Sequence, residues 1–290
     1  MADLREMRLP PSIRFAGLEV LVLPVKTQWL MVSLTFSAML LLGASRTVAG
    51  QTSTAEGLRL LHQMQTALGG ASRIASIRDY EETIRGETWN PDGSHLGYVR
   101  KRTRWIKQPN LVRLDQIGAR DTYVLYFDGV QGWEILPDLG GRDPLLTSGG
   151  AIALTGGELA FARNYLSGFQ INLWLADRMP GFIVSSPGPN IIRIAHDGTA
   201  TDFTLDPQTS LPIKTNGVSL ANPDRPVPAE MRYEAWTEVA GVRFPTKRAN
   251  YLNGLKLGEI TDATIRVNTG LNPQVLAAKP GNSMPDISCE

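Results

Sequence analysis

The alternation of apolar and polar positions in residues 53–70 predicts an amphipathic helix. The apolar residues that recur at helical spacing are Leu58, Leu61, Met64 and Leu68. The preceding Ser53-Thr54-Ala55-Glu56 has the capping-box pattern, and Gly69-Gly70 ends the run. This segment therefore forms a helix that buries one apolar face.

From Asp79 onward the pattern changes to short stretches rich in Tyr, Thr, Val, Ile and Trp. The turn clusters between them are Asn90-Pro91-Asp92-Gly93, Asp128-Gly129, Asp197-Gly198 and Asn253-Gly254. The predicted strands cover residues 79–89, 95–107, 110–117, 122–127, 131–136, 182–186, 190–196, 200–206, 211–220, 230–238, 243–252 and 256–267. We interpret them as consecutive antiparallel hairpins.

A helical insert, residues 140–176, interrupts the series of strands. It begins with a glycine-rich loop, and Thr155-Gly156-Gly157-Glu158 again has the capping-box spacing. The apolar residues that follow on one helical face are Leu159, Ala162, Tyr165, Leu166 and Phe169. Many strands with a few helices, and no alternation of strand and helix, predict an α+β fold with one large antiparallel sheet.

The first predicted hairpin leaves two registers open. A two-residue turn at Pro91-Asp92 places Glu81 opposite Arg102, whereas a three-residue turn places Glu82 opposite Arg102. In either register an acid faces a base. We therefore interpret the basic run at residues 100–104 as part of a solvated, ion-paired sheet surface rather than as a basic binding patch.

The apolar run at residues 29–44 resembles the core of a secretory signal peptide. It is shorter than the roughly 20 residues that a spanning helix needs. Lys26 supplies the positive charge before it, and small residues follow at Val48-Ala49-Gly50. We expect cleavage near Gly50 and a periplasmic or secreted protein, with an uncleaved membrane anchor as the alternative.

Two details of this leader refine the prediction. The segment before Lys26 is unusually long, and a start near Val25 would give an ordinary signal peptide. Leu42-Gly43-Ala44-Ser45 has the shape of a lipoprotein cleavage box, but Ser45 stands where the box needs a cysteine. We therefore expect a protein without a lipid anchor, made of a signal peptide at 1–50 and one domain at 51–290.

Charge and cysteine content exclude some roles. Without residues 1–50 the chain carries 24 positive and 25 negative side chains, and this balance argues against a nucleic-acid partner. Cys289 is the only cysteine, so no internal disulfide can form. It lies in a predicted loose C-terminal tail, residues 279–290, as a free thiol or, alternatively, in an intermolecular bridge.

The chain contains no familiar catalytic or cofactor motif. It lacks the serine-hydrolase elbow, the phosphate-binding glycine loop, the dinucleotide fingerprint and the paired-histidine zinc helix. His62, His95 and His196 have no ligand-like spacing, which favours surface or packing roles over metal binding. We expect no enzyme activity, no metal and no cofactor, although dispersed carboxylates leave an envelope hydrolase open.

Large aromatic residues are the remaining candidates for a binding site. In a curved sheet covered by helices, inward side chains either line a cavity or fill an ordinary core. The cavity candidates are Trp89, Trp105, Tyr126, Trp133, Trp174 and Trp236, with Leu159, Ala162 and Leu166 from the insert.

Four stretches resemble the outer-membrane lipoprotein-sorting family and its uncharacterised periplasmic relatives. They are Ala67-Leu68-Gly69-Gly70, YVLYFDGVQGWEI at 123–135, LDPQTSLPIK at 205–214 and MRYEAWTEVAGVRFPTKRANYLNG at 231–254. The resemblance implies a half-open antiparallel barrel of about eleven strands with helices over its concave face. It also implies a cavity for acyl chains and a role for the insert at 140–176 as a lid.

These observations together predict an exported, non-enzymatic binding protein. Its expected ligands are lipid acyl chains, a lipoprotein or another apolar molecule held between sheet and helices. An envelope protein partner and transient membrane contact are part of this expectation. The alternative from another class is an envelope interaction or scaffold protein of the same fold with a filled interior.

Overall fold

The computed structural model of the protein describes most of residues 52–277 and a few residues outside this range. The described residues are 14–15, 18–19, 52–119, 122–135, 152–156, 159, 162–163, 169–219, 227–277 and 286–287. The predicted cleavage site, Ser45, Leu166 and Cys289 lie outside them. Near the N-terminus, the two-residue strands Arg14–Phe15 and Leu18–Glu19 pair with each other. No helix in the described ranges is long and apolar enough to cross a membrane.

One antiparallel sheet of thirteen described strands dominates the fold. Its strands are β1 (Asp79–Trp89), β2 (His95–Ile106), β3 (Leu111–Ile117), β4 (Thr122–Phe127), β5 (Gly132–Ile135), β6 (Ile152–Ala153), β7 (Ile183–Gly188), β8 (Ile191–His196), β9 (Thr199–Leu205), β10 (Pro212–Ser219), β11 (Val227–Val239), β12 (Val242–Leu252) and β13 (Leu255–Val267). The order across the sheet is β6-β5-β4-β3-β2-β1-β13-β12-β11-β10-β9-β8-β7. The sheet is a curved, half-open barrel, because β6 and β7 form its two edges and do not pair with each other among the described residues.

All twelve strands expected from the sequence are present, and the predicted α+β class is confirmed. The thirteenth strand, β6, lies inside the predicted helical insert and pairs with β5. A strand of two residues has no alternation to detect, so the hydrophobic pattern could not predict it.

The helices whose bounds lie within the described residues are short except for the first. They are α1 (Ala55–Ala67), α2 (Ala71–Ala75), α3 (Gln170–Trp174) and α4 (Pro273–Ala277), with a 3₁₀ turn at Ala176–Arg178. Residues 156, 159 and 162–163 are also helical. The N-cap of α1 is Thr54, whose hydroxyl accepts a hydrogen bond from the Gly57 amide at 3.1 Å. Ser53 instead accepts a hydrogen bond from the Val184 amide, which ties the start of α1 to edge strand β7.

Directly opposed residues define two faces of the sheet. The inner face, which the helices cover, carries the row Tyr80, Trp105, Val112 and Phe127 across β1 to β4. The outer face carries the next row, which consists of Glu81, Arg104, Arg113, Tyr126 and Trp133. Because side chains alternate along a strand, this register assigns every residue of these strands to one face.

Both registers predicted for the first hairpin are wrong. The structure pairs Glu81 with Arg104 and Thr83 with Arg102. A register shift between Thr88 and Trp89, close to the turn, moves the remainder of β1 relative to β2. An extra residue of this kind disrupts the ladder locally, and turn length alone does not reveal it. An acid still faces a base, at Glu81 and Arg104.

The outer face at this point is a buried charge cluster rather than the expected solvated surface. Asp115 is fully buried, and Arg104 and Arg113 are nearly so. Arg104 donates to the Asp115 carboxylate at 2.5 Å, and Arg113 donates to it at 2.8 Å. Burial is the largest single influence and acts to lower the pKa of Arg113, but the hydrogen bond to Asp115 and the charge of Asp115, with Tyr126 and Asp286, together outweigh burial and raise the pKa.

The C-terminal residues cover this cluster. The Asp286 carboxylate accepts hydrogen bonds from Arg102 at 3.0 Å and Arg104 at 2.9 Å, and the Asp286 amide donates to Asp115 at 3.0 Å. Ile287 is buried beside it. These two residues are therefore held against the sheet, although the sequence predicted a loose tail there.

Candidate functional site on the inner face

The inner face carries a layer of contacting aromatic rings. The Tyr80 ring lies 5.5 Å from Phe169 and 5.6 Å from Phe244, measured between centroids. Trp105 stacks obliquely on Phe169 at 4.9 Å, and Trp174 lies 5.6 Å from Phe244. The rings come from β1, β2, β12 and the segment around α3, so the layer joins the centre of the sheet to its helical cover.

Helix α1 forms one wall of this layer and lies directly on the edge of the sheet. Its buried apolar residues are Leu60, Leu61 and Met64, followed by Leu68 at the C-cap. At Gly57 the helix touches the backbone of β7, since an added Cβ would lie 2.6 Å from the Ser185 carbonyl carbon. Any larger side chain at position 57 would push the helix away from the sheet.

A buried glutamine fixes α1 to the segment that follows α3. The Gln65 side-chain amide donates to the Trp174 carbonyl oxygen at 2.9 Å and to the Asp177 carboxylate at 2.7 Å. His62, one turn earlier, lies 3.3 Å from the same carboxylate. The aromatic layer is thus held on this side by two polar contacts as well as by apolar packing.

The insert between β5 and β7 contributes to the same apolar cluster. Leu154, Ala162 and Phe169 are buried in the cluster, and Leu159 packs against it. Leu154 lies in close contact with Gly132, where an added Cβ would be 2.7 Å from the Leu154 Cδ1 atom. The Leu154 amide also donates to the Gly132 carbonyl oxygen at 2.8 Å. The described part of the insert therefore covers the inner face.

A buried ion pair lies on the inner face beside the aromatic layer. The Arg248 guanidinium donates to the Glu82 carboxylate at 2.8 Å and to the Pro245 carbonyl oxygen at 2.9 Å. Burial is the largest single influence and acts to lower the pKa of Arg248, but the charge of Glu82 and the hydrogen bond to it, with Tyr80 and Tyr233, together outweigh burial and raise the pKa above its usual value. This pair places a polar patch within an apolar surface.

Tyr233 extends this polar patch. Its hydroxyl lies 3.4 Å from the Thr215 hydroxyl, and its ring lies 5.5 Å from Trp236. Burial raises the pKa of the Tyr233 phenol, and the Thr215 hydrogen bond and the charge of Arg248 reduce this effect. The patch offers hydrogen-bonding groups at the margin of the apolar cluster.

The structure brings some of the predicted cavity residues together and separates others. Trp105, Trp174 and Ala162 lie within the apolar cluster, with Leu159 and Trp236 packed against it. Tyr126 and Trp133 are register partners on the outer face, beside Arg113. Trp89 lies apart, with the Lys256 ammonium 4.3 Å from its ring centroid. Leu166 lies outside the described residues, and the cavity itself stays a prediction.

Several residues of this site were missing from the prediction. Phe244 and Tyr80 complete the aromatic layer, and Glu82 pairs with Arg248 although 165 residues separate them in the chain. The alternation in β1 and β12 could have placed each residue on a face, but only the strand order places the two strands on one patch. That order is not encoded in any local pattern.

Two of the sequence motifs meet in space. Gly69, at the end of α1, approaches the turn between β11 and β12 so closely that an added Cβ would lie 2.0 Å from the Gly241 carbonyl oxygen. The Arg243 amide donates to the Leu68 carbonyl oxygen at 2.8 Å. The glycines of these motifs therefore serve helix docking.

The described residues contain no group of three or more His, Cys, Asp or Glu side chains arranged to hold a metal ion. His95 lies beside Glu87 at 3.4 Å, and the His196 ring stacks on Phe182 at 4.1 Å. The three histidines thus occupy three separate environments.

Comparison with known proteins places this chain by its fold. No protein-family model and no curated protein matches it. Its structure is similar to the crystal structure of a DUF1329 family protein from Desulfovibrio piger, with a TM-score of 0.51 and 12% identity over 78% of this chain and 97% of that chain. This protein shares that fold.

A second similar structure is that of a LolA superfamily protein from Nitrosomonas europaea. The TM-score is 0.47, and the identity is 13% over 74% of this chain and 97% of that chain. The superfamily of that protein is the one that the sequence motifs of this chain resemble. At these identities the likeness concerns the fold alone.

Proposed function

We propose that this protein is an exported binding protein that holds lipid acyl chains or another apolar ligand between the sheet and its helical cover. The observation that supports this most is the continuity of the inner apolar cluster. The cluster extends from the sheet through α1 to Leu154, Ala162 and Phe169 of the insert. An acyl chain that entered between insert and sheet would contact apolar side chains on both sides.

The energetics of such binding are favourable without a catalytic group or a charged anchor. Each methylene removed from water contributes about 0.8 kcal/mol, so ten methylenes contribute about 8 kcal/mol. Displacing the insert and ordering the chain offset part of this gain. The residues of the insert that now fill the cluster are those a ligand would replace, which makes the insert the lid of this proposal.

The proposed location is the periplasm or the exterior of the cell. This proposal rests on the leader at 1–50 and on the absence of a cysteine at Ser45. N-terminal sequencing of the protein from a bacterial periplasm should yield a first residue at or next to Gly50. A protein that keeps its leader and stays with the inner membrane would contradict this part of the proposal.

A titration with a fluorescent long-chain fatty acid tests the binding proposal. We expect saturable binding by the wild type and at least tenfold weaker binding by Leu154→Lys, because a buried ammonium would face the acyl chain. Leu255→Lys is the matched control, since Leu255 is 48% exposed and Leu154 is 5% exposed. Circular dichroism checks that both variants fold, and Leu154→Ala serves if the lysine variant does not.

The outcomes separate binding from packing. A folded wild type that binds no acyl probe would overturn the proposal. Equal affinity of the Leu154→Lys and Leu255→Lys variants would also contradict it, because the ligand would then lie elsewhere.

One observation favours a second candidate, an envelope interaction protein with a filled interior. The ring contacts of Trp105, Phe169 and Tyr80 leave these side chains almost without exposure. Such packing is what a structural core needs. If the protein has this second function, the acyl probe does not bind, and an envelope protein partner binds to the outer surface of the fold.

A further inference from the structure

The outer face of the sheet binds Asp286 through its side chain and its backbone alike. The Asp286 carboxylate accepts hydrogen bonds from Arg102 at 3.0 Å and from Arg104 at 2.9 Å. Its carbonyl oxygen accepts a second hydrogen bond from Arg102 at 3.3 Å, and its amide donates to Asp115 at 3.0 Å. Three side chains of the sheet thus contact every polar group of this one residue.

The next residue, Ile287, adds an apolar contact, because its side chain is buried. A segment held in this way needs a carboxylate followed directly by an aliphatic residue. Groups of arginines recognise acidic motifs in the same manner in peptide-binding domains. The surface under Asp286 and Ile287 therefore has the chemistry of a peptide-docking site.

The charges under Asp286 do not balance without it. The ion pairs among the described residues there join three bases to two acids of the sheet. The bases are Arg102, Arg104 and Arg113, and the acids are Glu81 and Asp115. The Asp286 carboxylate supplies the third negative charge. Its departure leaves an excess of one positive charge, which attracts another acidic group.

Two features make the contact with Asp286 exchangeable. The Asp286 side chain is 53% exposed, and ion pairs of exposed groups contribute little to stability. The Nε atoms of Arg102 and Arg104 are buried and have no hydrogen-bond acceptor. A buried donor without an acceptor is unfavourable, so Asp286 leaves part of the binding capacity of both guanidinium groups unused.

The preceding part of the C-terminal region has anchors of its own. The Asp79 carboxylate accepts a hydrogen bond from the Thr269 amide at 2.7 Å, and Leu276 of α4 is buried against residues of β2 and β3. These contacts involve neither Asp286 nor Ile287. The two residues can therefore leave the sheet while α4 stays in place.

We propose that Arg102, Arg104 and Asp115 form a docking site for a partner protein whose binding segment presents an aspartate followed by an aliphatic residue. In the free protein the chain's own Asp286 and Ile287 occupy this site and compete with the partner. The site lies on the outer face, so docking and the inner apolar cluster do not interfere. The inference goes beyond acyl binding and does not depend on it.

A labelled peptide with the sequence of residues 281–288 tests the site in the full-length protein. We expect it to bind the double variant Asp286→Ala/Ile287→Ser at least tenfold more tightly than the wild type, whose own segment competes at a high effective concentration. A peptide with asparagine in place of the aspartate should bind the double variant at least tenfold more weakly, because it lacks the charge-assisted contacts. Fluorescence anisotropy measures these affinities.

A third substitution in the double variant tests the role of the arginines. Arg102→Gln should weaken peptide binding at least tenfold. Arg193→Gln is the matched control, since it removes a guanidinium from the exposed pair with Asp202 and should leave binding unchanged. Circular dichroism checks that each variant folds, and the comparison of the two peptides requires no change in the sheet.

Three results would refute the proposal. They are the absence of peptide binding by the folded double variant, equal affinities of the aspartate and asparagine peptides, and equal affinities of the Arg102→Gln and Arg193→Gln proteins. The acyl titration is independent of each of these results, so failure of the docking site is distinguishable from failure of the binding proposal.

Discussion

Asp115 is the residue on which the outer-face charge cluster depends. It accepts hydrogen bonds from Arg104, Arg113 and the Asp286 amide, and it has no exposed surface. A carboxylate so buried is stable only because two guanidinium groups replace its water shell. Removing its charge takes this carboxylate partner from Arg113 and leaves Arg104 with Asp286.

We therefore expect Asp115→Asn to lower the free energy of unfolding by about 3 kcal/mol, the cost of breaking a buried ion pair. Asp202→Asn is the matched control. Asp202 pairs with Arg193 on the exposed surface, and such pairs contribute under about 1 kcal/mol. Urea unfolding of both variants measures the difference, and equal losses would mean that the cluster is not desolvated.

Tyr233 gives the inner face a dependence on alkaline pH. Its pKa in the folded protein is raised by burial, so the folded state keeps the phenol proton at pH values where the unfolded chain releases it. This contribution to stability is complete below about pH 10, the pKa of an unfolded tyrosine, and is lost as the pH rises through the folded pKa.

Replacing Tyr233 with Phe should make the free energy of unfolding fall less steeply above pH 10. At neutral pH the variant should lose little, because the contact with Thr215 is long at 3.4 Å. A Tyr233→Phe slope that matches the wild type would show that the phenol is hydrated.

At the scale of elements, the docking of α1 depends on a glycine in its first turn. Alanine is the better helix former by about 1 kcal/mol, so Gly57→Ala would stabilise an isolated helix. Here the added Cβ would meet Ser185 backbone atoms at 2.6 Å. Backbone cannot rotate aside as a side chain does, so the cost should lie near the upper end of overpacking penalties, about 3 kcal/mol.

The expected net effect of Gly57→Ala is a loss of about 2 kcal/mol, opposite in sign to the effect on the helix alone. Gly258→Ala in β13 is the control, because its added Cβ would have its nearest neighbours at 3.7 Å and should cost little. Thermal unfolding of both variants measures the difference in stability. A more stable Gly57→Ala protein would mean that α1 does not lie against β7.

Elements with a clear period were predictable from the sequence, and those without one were not. The capping pattern and apolar spacing of α1, and the alternation of the twelve strands, agree with the structure. Helix α2 and strand β6 were missed, since five and two residues are too short to show a period. The predicted register of the first hairpin was wrong because the number of turn residues does not reveal the bulge next to the turn.

At the scale of the whole molecule, the described residues between 79 and 267 form one large open sheet with a mainly apolar inner face and a mainly polar outer face. Its aromatic content was visible in the sequence, but the face of each ring was not. Trp105 lies on the inner face and Tyr126 on the outer face. The pairing of the strands, and not the type of residue, decides which alternate residues of β2 and β4 share a face. Contacts between strands that are distant in the sequence, such as the ion pair of Glu82 and Arg248, can be identified only from the assembled sheet.

Native mass spectrometry with lipid extraction tests the binding function most directly. The protein is exported to a bacterial periplasm, purified without detergent and compared with its Leu154→Lys and Leu255→Lys variants. We predict co-purified acyl species on the wild type and on Leu255→Lys, and their loss from folded Leu154→Lys. A wild type that carries no lipid, and that keeps its bare mass after incubation with phospholipids, would contradict the account.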